Sequence, residues 1–412
     1  METRRISGFQ TERLLAPEQA LSLFFATVSL VQPVAERVPL SRVRGRVLAH
    51  DVTSGEDVPA APRSTMDGFA VRAADTPGEL RIDGAISMGT SRDARLAQGT
   101  AVRIPTGGVL PSGADAVVPI ESVQLDGENV RIGDAIPLND CVSERGSDIR
   151  AGEMVLPRGR ILGAAEMGVL ATLGTVHVSV WKRPVIAVMS TGDELVDASA
   201  TPLPGQIRDS NRWVLAAHLE RLGAEVRHIP TPPDEPSALE AALRKALEGC
   251  DGVVLSGGSS VGERDLTPDI VSRLGDPGVV VHGLRVKPGK PTVLGAVGAK
   301  PVIGLPGNPA SALTILDAVA SPIIAALTGA DAHICGLRAR LTQALSKRKG
   351  WTWFVPVQID ASAGEVRATP LTIRSSQVSL LARAAGYATF GELAEHIPAG
   401  TEVDVRLLQG AF

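Results

Sequence analysis

Val253-Val254-Leu255-Ser256-Gly257-Gly258-Ser259-Ser260-Val261-Gly262-Glu263-Arg264-Asp265 is the stretch whose reading decides the fold. Its apolar start, without alternation, predicts a strand buried on both faces, and that strand feeds a glycine-rich turn ending in a carboxylate. Glycines leave backbone N–H groups open to anion oxygens, whereas Asp265 repels an anion and suits a metal ion held beside it. The chemistry implied is a phosphate or oxyanion met together with magnesium. Read alone, the same turn also describes tight strand-to-helix packing.

Three neighbouring loops carry related chemistry. Residues 184–191, Pro-Val-Ile-Ala-Val-Met-Ser-Thr, predict a second buried strand, and the acidic turn Gly192-Asp193-Glu194 follows it. After the apolar run 278–281 comes Lys287-Pro288-Gly289-Lys290-Pro291, where prolines fix the backbone and two lysines offer point charges to anionic oxygens. Ile303-Gly304-Leu305-Pro306-Gly307-Asn308-Pro309 then leads into a long apolar helical pattern from Ala310. Between these loops, residues 211–222 and 237–248 have helix periodicity. Leu215, Leu219 and Leu222 form one stripe, Leu239, Leu243 and Leu247 the other, and Ser237 stands near an amino-terminal cap. Strands alternating with helices over residues 181–328 predict a doubly wound, Rossmann-like α/β domain with a ligand crevice at the carboxyl edge of its parallel sheet.

The flanking texture differs. Residues 51–143 are rich in Gly, Pro and short Val/Ile alternations, such as residues 101–104, 116–120 and 129–132, which predict an inserted β lobe, a small barrel or sandwich. Residues 329–412 repeat it, with strands at 353–359 and 402–408, a helix at 379–385 and a C-terminal β-barrel as the expected form. Residues 1–50 and 144–180 remain as a helical and extended N-terminal arm. In this fold class, multidomain α/β plus β, several loops of the β lobe also suggest chemistry. Asp67 sits beside Gly68, Thr106 lies in Pro105-Thr106-Gly107-Gly108, and Asp148 in Gly146-Ser147-Asp148-Ile149-Arg150; each is also readable as an ordinary turn.

Composition excludes several classes. With 412 residues and 44% hydrophobic content the chain can bury real cores, and a net charge of −4 without a basic run leaves no nucleic-acid footprint. Cys141, Cys250 and Cys335 are odd in number and lack CxxC spacing, which suits a reducing cytoplasm rather than a zinc site or disulfide framework. None of the seven histidines has metal-ligand spacing. Residues 21–31 are too short to span a bilayer and lack the basic start of a signal peptide, and Asp317 and Pro322 interrupt the apolar stretch 310–327, so no membrane partner is expected.

Ser64-Thr65-Met66-Asp67-Gly68-Phe69-Ala70, Pro105-Thr106-Gly107-Gly108, Gly146 to Arg150, Ser190-Thr191-Gly192-Asp193-Glu194-Leu195, Asp209-Ser210-Asn211, the glycine turn, Lys287 to Pro291 and Leu305 to Pro309 occur in one order. In that order the chain resembles molybdopterin molybdenumtransferases of the MoeA type, relatives of the carboxyl-terminal part of gephyrin. The resemblance implies an enzyme of molybdenum cofactor biosynthesis that inserts molybdate into adenylylated molybdopterin, with magnesium required and AMP released. It further implies a homodimer whose site joins the α/β lobe of one subunit to the inserted lobe of the other. Transient contact with the molybdopterin adenylyltransferase and with molybdoenzyme apoproteins also follows.

On that resemblance, Glu194 and Asp265 are expected to hold magnesium, and Asp67, Thr106 and Asp148 to close the site. Lys287 and Lys290 are expected on phosphate or molybdate oxygens, with Gly257, Gly258 and Ser259 around the pterin's phosphate. Asp209, Asp234, Pro306, Gly307, Asn308 and Pro309 are expected to line the crevice. Asp234 reads equally as a turn acid after Pro232-Pro233. Two positions depart from the family pattern. Gly283 stands where relatives carry a lysine, and Trp351 where they carry an arginine; His282 and Arg285 lie near the first gap, and Lys347, Arg348 and Lys349 near the second. Two other readings stay open: a molybdopterin adenylyltransferase-like enzyme, which resembles the α/β lobe alone, and a non-catalytic gephyrin-like scaffold. Unpaired carboxylates that repel one another without metal argue against the scaffold.

Overall fold

The computed structural model describes residues 14–90, 95–257, 266–331, 336–362, 364–371 and 377–408. Two compact units emerge. Unit 1 comprises Met1–Ala49, Gly159–Gly163 and Val178–Phe412, and unit 2 comprises His50–Arg158 and Ala164–His177.

Unit 1 is built on a six-stranded sheet. In chain order its elements are α1 (Pro17–Thr27), β1 (Val185–Ser190), α2 (Asn211–Arg221), β2 (Glu225–His228), α3 (Pro236–Gly249), β3 (Gly252–Ser256), α4 (Thr267–Leu274), β4 (Pro277–His282), β5 (Val286–Lys287), β6 (Val293–Val297), β7 (Lys300–Leu305) and α5 (Pro309–Ile315). The sheet order is β2-β1-β3-β7-β6-β4. The β2, β1, β3 and β7 strands pair in parallel, whereas β6 is antiparallel to both β7 and β4. One reversed strand thus interrupts the expected parallel sheet. The direction of β4 is unchanged by two reversals, so its carboxyl end still opens on the same edge.

Alternate residues of each central strand serve opposite cores, which is why those strands read as unbroken apolar runs. Ile186, Val188, Val254 and Ile303 pack with Phe24 of α1, Leu215 and Leu219 of α2 and the helices after β7. Ala187, Met189, Val253 and Leu255 pack with Leu239, Leu243 and Leu247 of α3 and Ile270 of α4. The four-residue leucine spacing of α3 points all three side chains inward. Its start differs from expectation: Glu235 is the cap residue, Pro236 opens the helix, and no side chain caps it. A proline there loses no intrahelical bond, so Ser237 falls inside the first turn.

The α5 helix continues through a π-helical turn, Leu316–Ala320, into α6 (Ser321–Thr328). Among the described residues this is the one helix long and apolar enough to cross a membrane, and it lies mostly buried in the core. The π turn carries Asp317, which is 1% exposed. Its Oδ1 accepts from Arg221 Nη2 at 3.0 Å and its Oδ2 from Tyr387 OH at 2.7 Å, and Oδ2 forms an ion pair with Arg406 Nε at 2.5 Å. His218 Nε2 lies 3.1 Å from Oδ1 without the alignment of a hydrogen bond.

The C-terminal part of unit 1 is a closed barrel. Thr352–Asp360 (β8) pairs with both Arg367–Pro370 and Gly386–Phe390, and Gly336–Leu341 and Glu402–Leu407 complete the ring. Its interior holds Leu341, Val355, Val357, Phe390 and Val405. Outside the ring, β5 adds to β8 in parallel, with Lys287 opposite Trp353.

Unit 2 centres on a second six-stranded sheet, ordered Ala116–Pro119, Gly68–Val71, Thr100–Ile104, Gly78–Ala85, Asn129–Ile132 and Val123–Asp126. Phe69, Val71, Leu80, Val118, Val130 and Ile132 form its main core, the inward set of the short alternations.

Candidate functional site

The sheet register brings Ser190, Ser256 and Leu305 to one level at the carboxyl edge. Beyond it the loops are tied together by main-chain bonds: Thr191 N donates to Ser256 O at 2.9 Å and Gly257 N to Leu305 O at 3.1 Å. Gly257 has φ +91°, and a Cβ there would lie 2.4 Å from Thr191 O. Only glycine fits both that dihedral and that approach. Gly307 passes so near that a Cβ on it would lie 3.7 Å from Gly257 Cα.

A buried polar cluster underlies these turns. Ser190 Oγ donates to Asp209 Oδ1 at 2.9 Å and lies 3.3 Å from Ser256 Oγ, while Asn211 Nδ2 donates to Ser256 Oγ at 3.1 Å and to Gly307 O at 2.7 Å. Arg212 N donates to Asp209 Oδ1 at 3.2 Å, so Asp209 also steadies the start of α2. Yet Asp209 Oδ2, Asn211 Oδ1, Thr191 Oγ1 and Thr267 Oγ1 are buried without a partner among the described residues. Native interiors satisfy nearly all such groups, and each exception calls for an explanation. Asn211, known from the sequence only as part of a motif, is therefore a linking residue between two candidate loops.

At the acidic turn Glu194 is exposed and its carboxylate folds over Gly192, whose added Cβ would lie 2.6 Å from Oε2. Asp193 Oδ1 accepts from Asp234 N at 2.9 Å, so Asp234 does join this turn, through its main chain. Glu194, Asp209 and Asn211 offer hard oxygen donors of the kind magnesium takes. Among the described residues no three His, Cys, Asp or Glu side chains group as a metal site. Asp265, Gly258 and Ser259 lie outside the described residues.

The basic motif lines a cavity of about 760 Å³ together with Pro306, Asn308 and Ser311. Gly289 is obligatory here: at φ +107°, a Cβ would lie 2.1 Å from Ile315 Cγ1. Lys287 and Lys290 both line the cavity, Lys287 with its Nζ 4.8 Å from the centre of the Trp353 ring. The opposite wall belongs to the barrel: Ser346, Lys347, Arg348, Trp351 and Trp353. Lys347 Nζ donates to Trp351 O at 2.5 Å, and burial pushes its ammonium below the ordinary lysine value against the pull of Glu392 and Glu395. Thus Lys347 and Arg348 do supply cations near Trp351, the position marked in the sequence as a departure from arginine, whereas Trp353's part in the cavity had no sequence signal. Pro309 opens α5 at its first turn, its usual place in a helix.

Unit 2 brings two expected residues together. Asp67 Oδ1 accepts from Thr106 N at 2.6 Å and from Thr106 Oγ1 at 3.0 Å. The Thr106 amide, then its hydroxyl, hold the Asp67 carboxyl below its ordinary value. Asp148 is exposed in the same unit, its N–H donating to Val58 O at 3.0 Å.

Three family models match in succession: the MoeA N-terminal region (domain I and II) at residues 15–174, a probable molybdopterin-binding domain at 187–326, and the MoeA C-terminal region (domain IV) at 338–408. A molybdopterin molybdenumtransferase from Nostoc sp. is 36% identical over 308 residues, covering 72% of this chain and 70% of that protein. One from Bacillus subtilis is 32% identical over 391 residues, covering 92% and 91%. The solved molybdopterin biosynthesis MoeA protein of Pyrococcus horikoshii superposes with a TM-score of 0.76 at 33% identity, covering 97% of this chain and 100% of that one.

Proposed function

This chain belongs to the molybdopterin molybdenumtransferase family, and on that premise we propose that it inserts molybdenum from molybdate into adenylylated molybdopterin with release of AMP. It is an enzyme of molybdenum cofactor biosynthesis, a transferase. The observation that carries the finer reading is the single strand edge where a tight glycine turn, an acidic turn and a lysine-lined cavity converge. Gly257, whose own amide is spent on Leu305 O, allows the close main-chain approach, backbone amides of the Gly307 turn suit phosphate oxygens, and Lys287 and Lys290 neutralise the phosphoanhydride and the incoming oxyanion. Glu194, together with Asp265, is proposed to hold magnesium, which would polarise phosphoryl oxygen when bound. Asp209, Asp234, Pro306, Asn308 and Pro309 orient the substrate around it. No protein nucleophile is needed.

The barrel's contribution to the cavity favours this reading over an adenylyltransferase built on the α/β lobe alone. The decisive assay is AMP release from adenylylated molybdopterin on adding molybdate. Release without molybdate, or none with it, would remove the insertase reading.

A homodimer is proposed from the family resemblance, with Asp67, Thr106 and Asp148 serving the site of the partner subunit. Mixing inactive Asp67→Asn and Glu194→Gln proteins should then restore about a quarter of full activity after subunit exchange, because about half the dimers hold one intact site. Activity that stays at single-mutant level despite exchange removes the shared site. A cytoplasmic location fits such a biosynthetic enzyme with unpaired cysteines.

A further inference from the structure

Two of the chain's four tryptophans, Trp351 and Trp353, stand in one cavity wall with Lys347 and Arg348, facing the loop of Lys287 and Lys290. Both tryptophans are half-buried and both line the cavity. Among the described residues Trp353 Nε1 is buried without a hydrogen-bond partner, a condition that a tryptophan kept only for packing normally avoids. The β5–β8 pairing sets Lys287 opposite Trp353, which is how its ammonium comes to lie 4.8 Å over that ring. Lining of this cavity is mostly apolar, with cations at its margin, which suits a flat apolar body bearing a charged tail.

We propose that Trp351 and Trp353 form the stacking wall of a subsite for a planar nitrogen heterocycle that carries phosphate, with Lys347 and Arg348 meeting the phosphate. This rests on the insertase reading, whose substrate has such a heterocycle at each end, a pterin and an adenine. Phosphate oxygens make a stronger partner for Lys287 than an indole face does, because the bond to them is charge-assisted and directional. An arriving phosphate therefore draws the ammonium off Trp353 and leaves the ring to the heterocycle. Stacking tolerates either ring system, since each has a π face.

Three probes separate the contributions: AMP, 6-hydroxymethylpterin and pyrophosphate, each titrated calorimetrically into the full-length protein. Trp351→Ala should weaken the heterocycle that uses the wall by about tenfold, in the range for loss of one stacking partner, and leave pyrophosphate binding unchanged. Trp351→Phe should retain most of the affinity, and Arg348→Ala should weaken pyrophosphate and AMP together. Loss confined to AMP identifies the adenine, and loss confined to the pterin identifies the other end. Unchanged binding of both heterocycles, or no binding of either to the wild-type protein, overturns the proposal.

Should the alanine variant fail to fold, Trp181→Phe/Trp213→Phe leaves only the two wall indoles emitting. Their emission must then respond to AMP or pterin and to a degree that pyrophosphate alone does not reproduce; an equal response to all three overturns the wall. Molybdate-dependent AMP release on the same preparations keeps the outcomes apart. Turnover without heterocycle dependence sinks the wall alone, and heterocycle binding without turnover sinks the insertase reading alone.

Discussion

Asp209, at the carboxyl edge of the sheet, is 3% exposed and has one carboxylate oxygen without a partner among the described residues; Asp317, on the π-helical turn, is 1% exposed and has both oxygens engaged. Both acids sit in unit 1, in polar clusters of similar depth, so burial alone does not separate them. Satisfaction does. Around Asp317 the guanidinium of Arg406 also donates to Asp317 O and Ser321 Oγ, and the ring of charges ties α2, the π turn and the barrel strands into one piece. Around Asp209 the orphaned oxygens of Asn211 and Thr191 lie at the edge where the candidate loops meet. A closed network is what a structural join needs, and an open one at a sheet edge is what a ligand completes.

The sharpest way to break this contrast is Asp317→Asn, which should cost ~3–5 kcal/mol in urea unfolding because it removes the buried carboxylate that Arg221, Arg406 and Tyr387 converge on. Burial pushes the Asp317 carboxyl up, but contact with His218 and the charge of Arg406 outweigh that and bring it to about 2. Its folded value thus lies below the ordinary 3.8, so the stabilisation is present above that pH and is lost as pH falls through about 2. Burial pushes the His218 imidazole below its ordinary 6.5, against the pull of Asp317. The variant should lack the wild-type loss of stability between those two carboxyl values. An unchanged acid limb in the variant, measured by denaturant titration at several pH values, would assign the network no structural role.

Asp209→Asn is the matching test at the open cluster. The amide keeps an acceptor for Ser190 and Arg212 N, so stability should shift by no more than about 1 kcal/mol. Insertion should fall about 10- to 100-fold, the usual loss when a group that orients a ligand or metal is changed. A loss of stability equal to that of Asp317→Asn would make the two clusters alike and cancel the distinction drawn between them.

The sequence made the sheet edge legible because its central strands β1, β3 and β7 are largely apolar and each is followed by glycine, proline or charge, whereas the edge strand β2, Glu225-Val226-Arg227-His228, carries no such run. Local chemistry sufficed there. The reversed β6 was not legible, since strand direction depends on which neighbour it pairs with rather than on its own residues. Nor was the Asp317 network: its partners His218, Arg221, Tyr387 and Arg406 are scattered along the chain, and Asp317 itself reads as an interruption of an apolar helix. The π turn that aims it inward leaves no mark in composition. Trp353 was readable as a strand residue, but its place beside Lys287 follows from the β5–β8 pairing, a long-range contact.

The smallest stability effect and the most selective functional one are expected at Glu194. Unlike Asp209 and Asp317 it is exposed, so Glu194→Gln, nearly equal in shape, should alter unfolding by less than about 0.5 kcal/mol. What changes is the charge offered to magnesium. If Glu194 is a ligand, magnesium chloride should raise the melting temperature of the wild-type protein, because an ion bound only by the folded state stabilises it by mass action, and should raise that of the variant less. Molybdate-dependent AMP release by the variant should in parallel require more magnesium and stay below wild type when magnesium saturates. The thermal shift matters because it is read without turnover, so it distinguishes a lost ligand from a lost catalytic group. Equal shifts in the two proteins, with near-normal turnover at saturating magnesium, would remove Glu194 from the metal's first contacts and leave the buried oxygens of Asp209 and Asn211 as the donors to pursue at this edge.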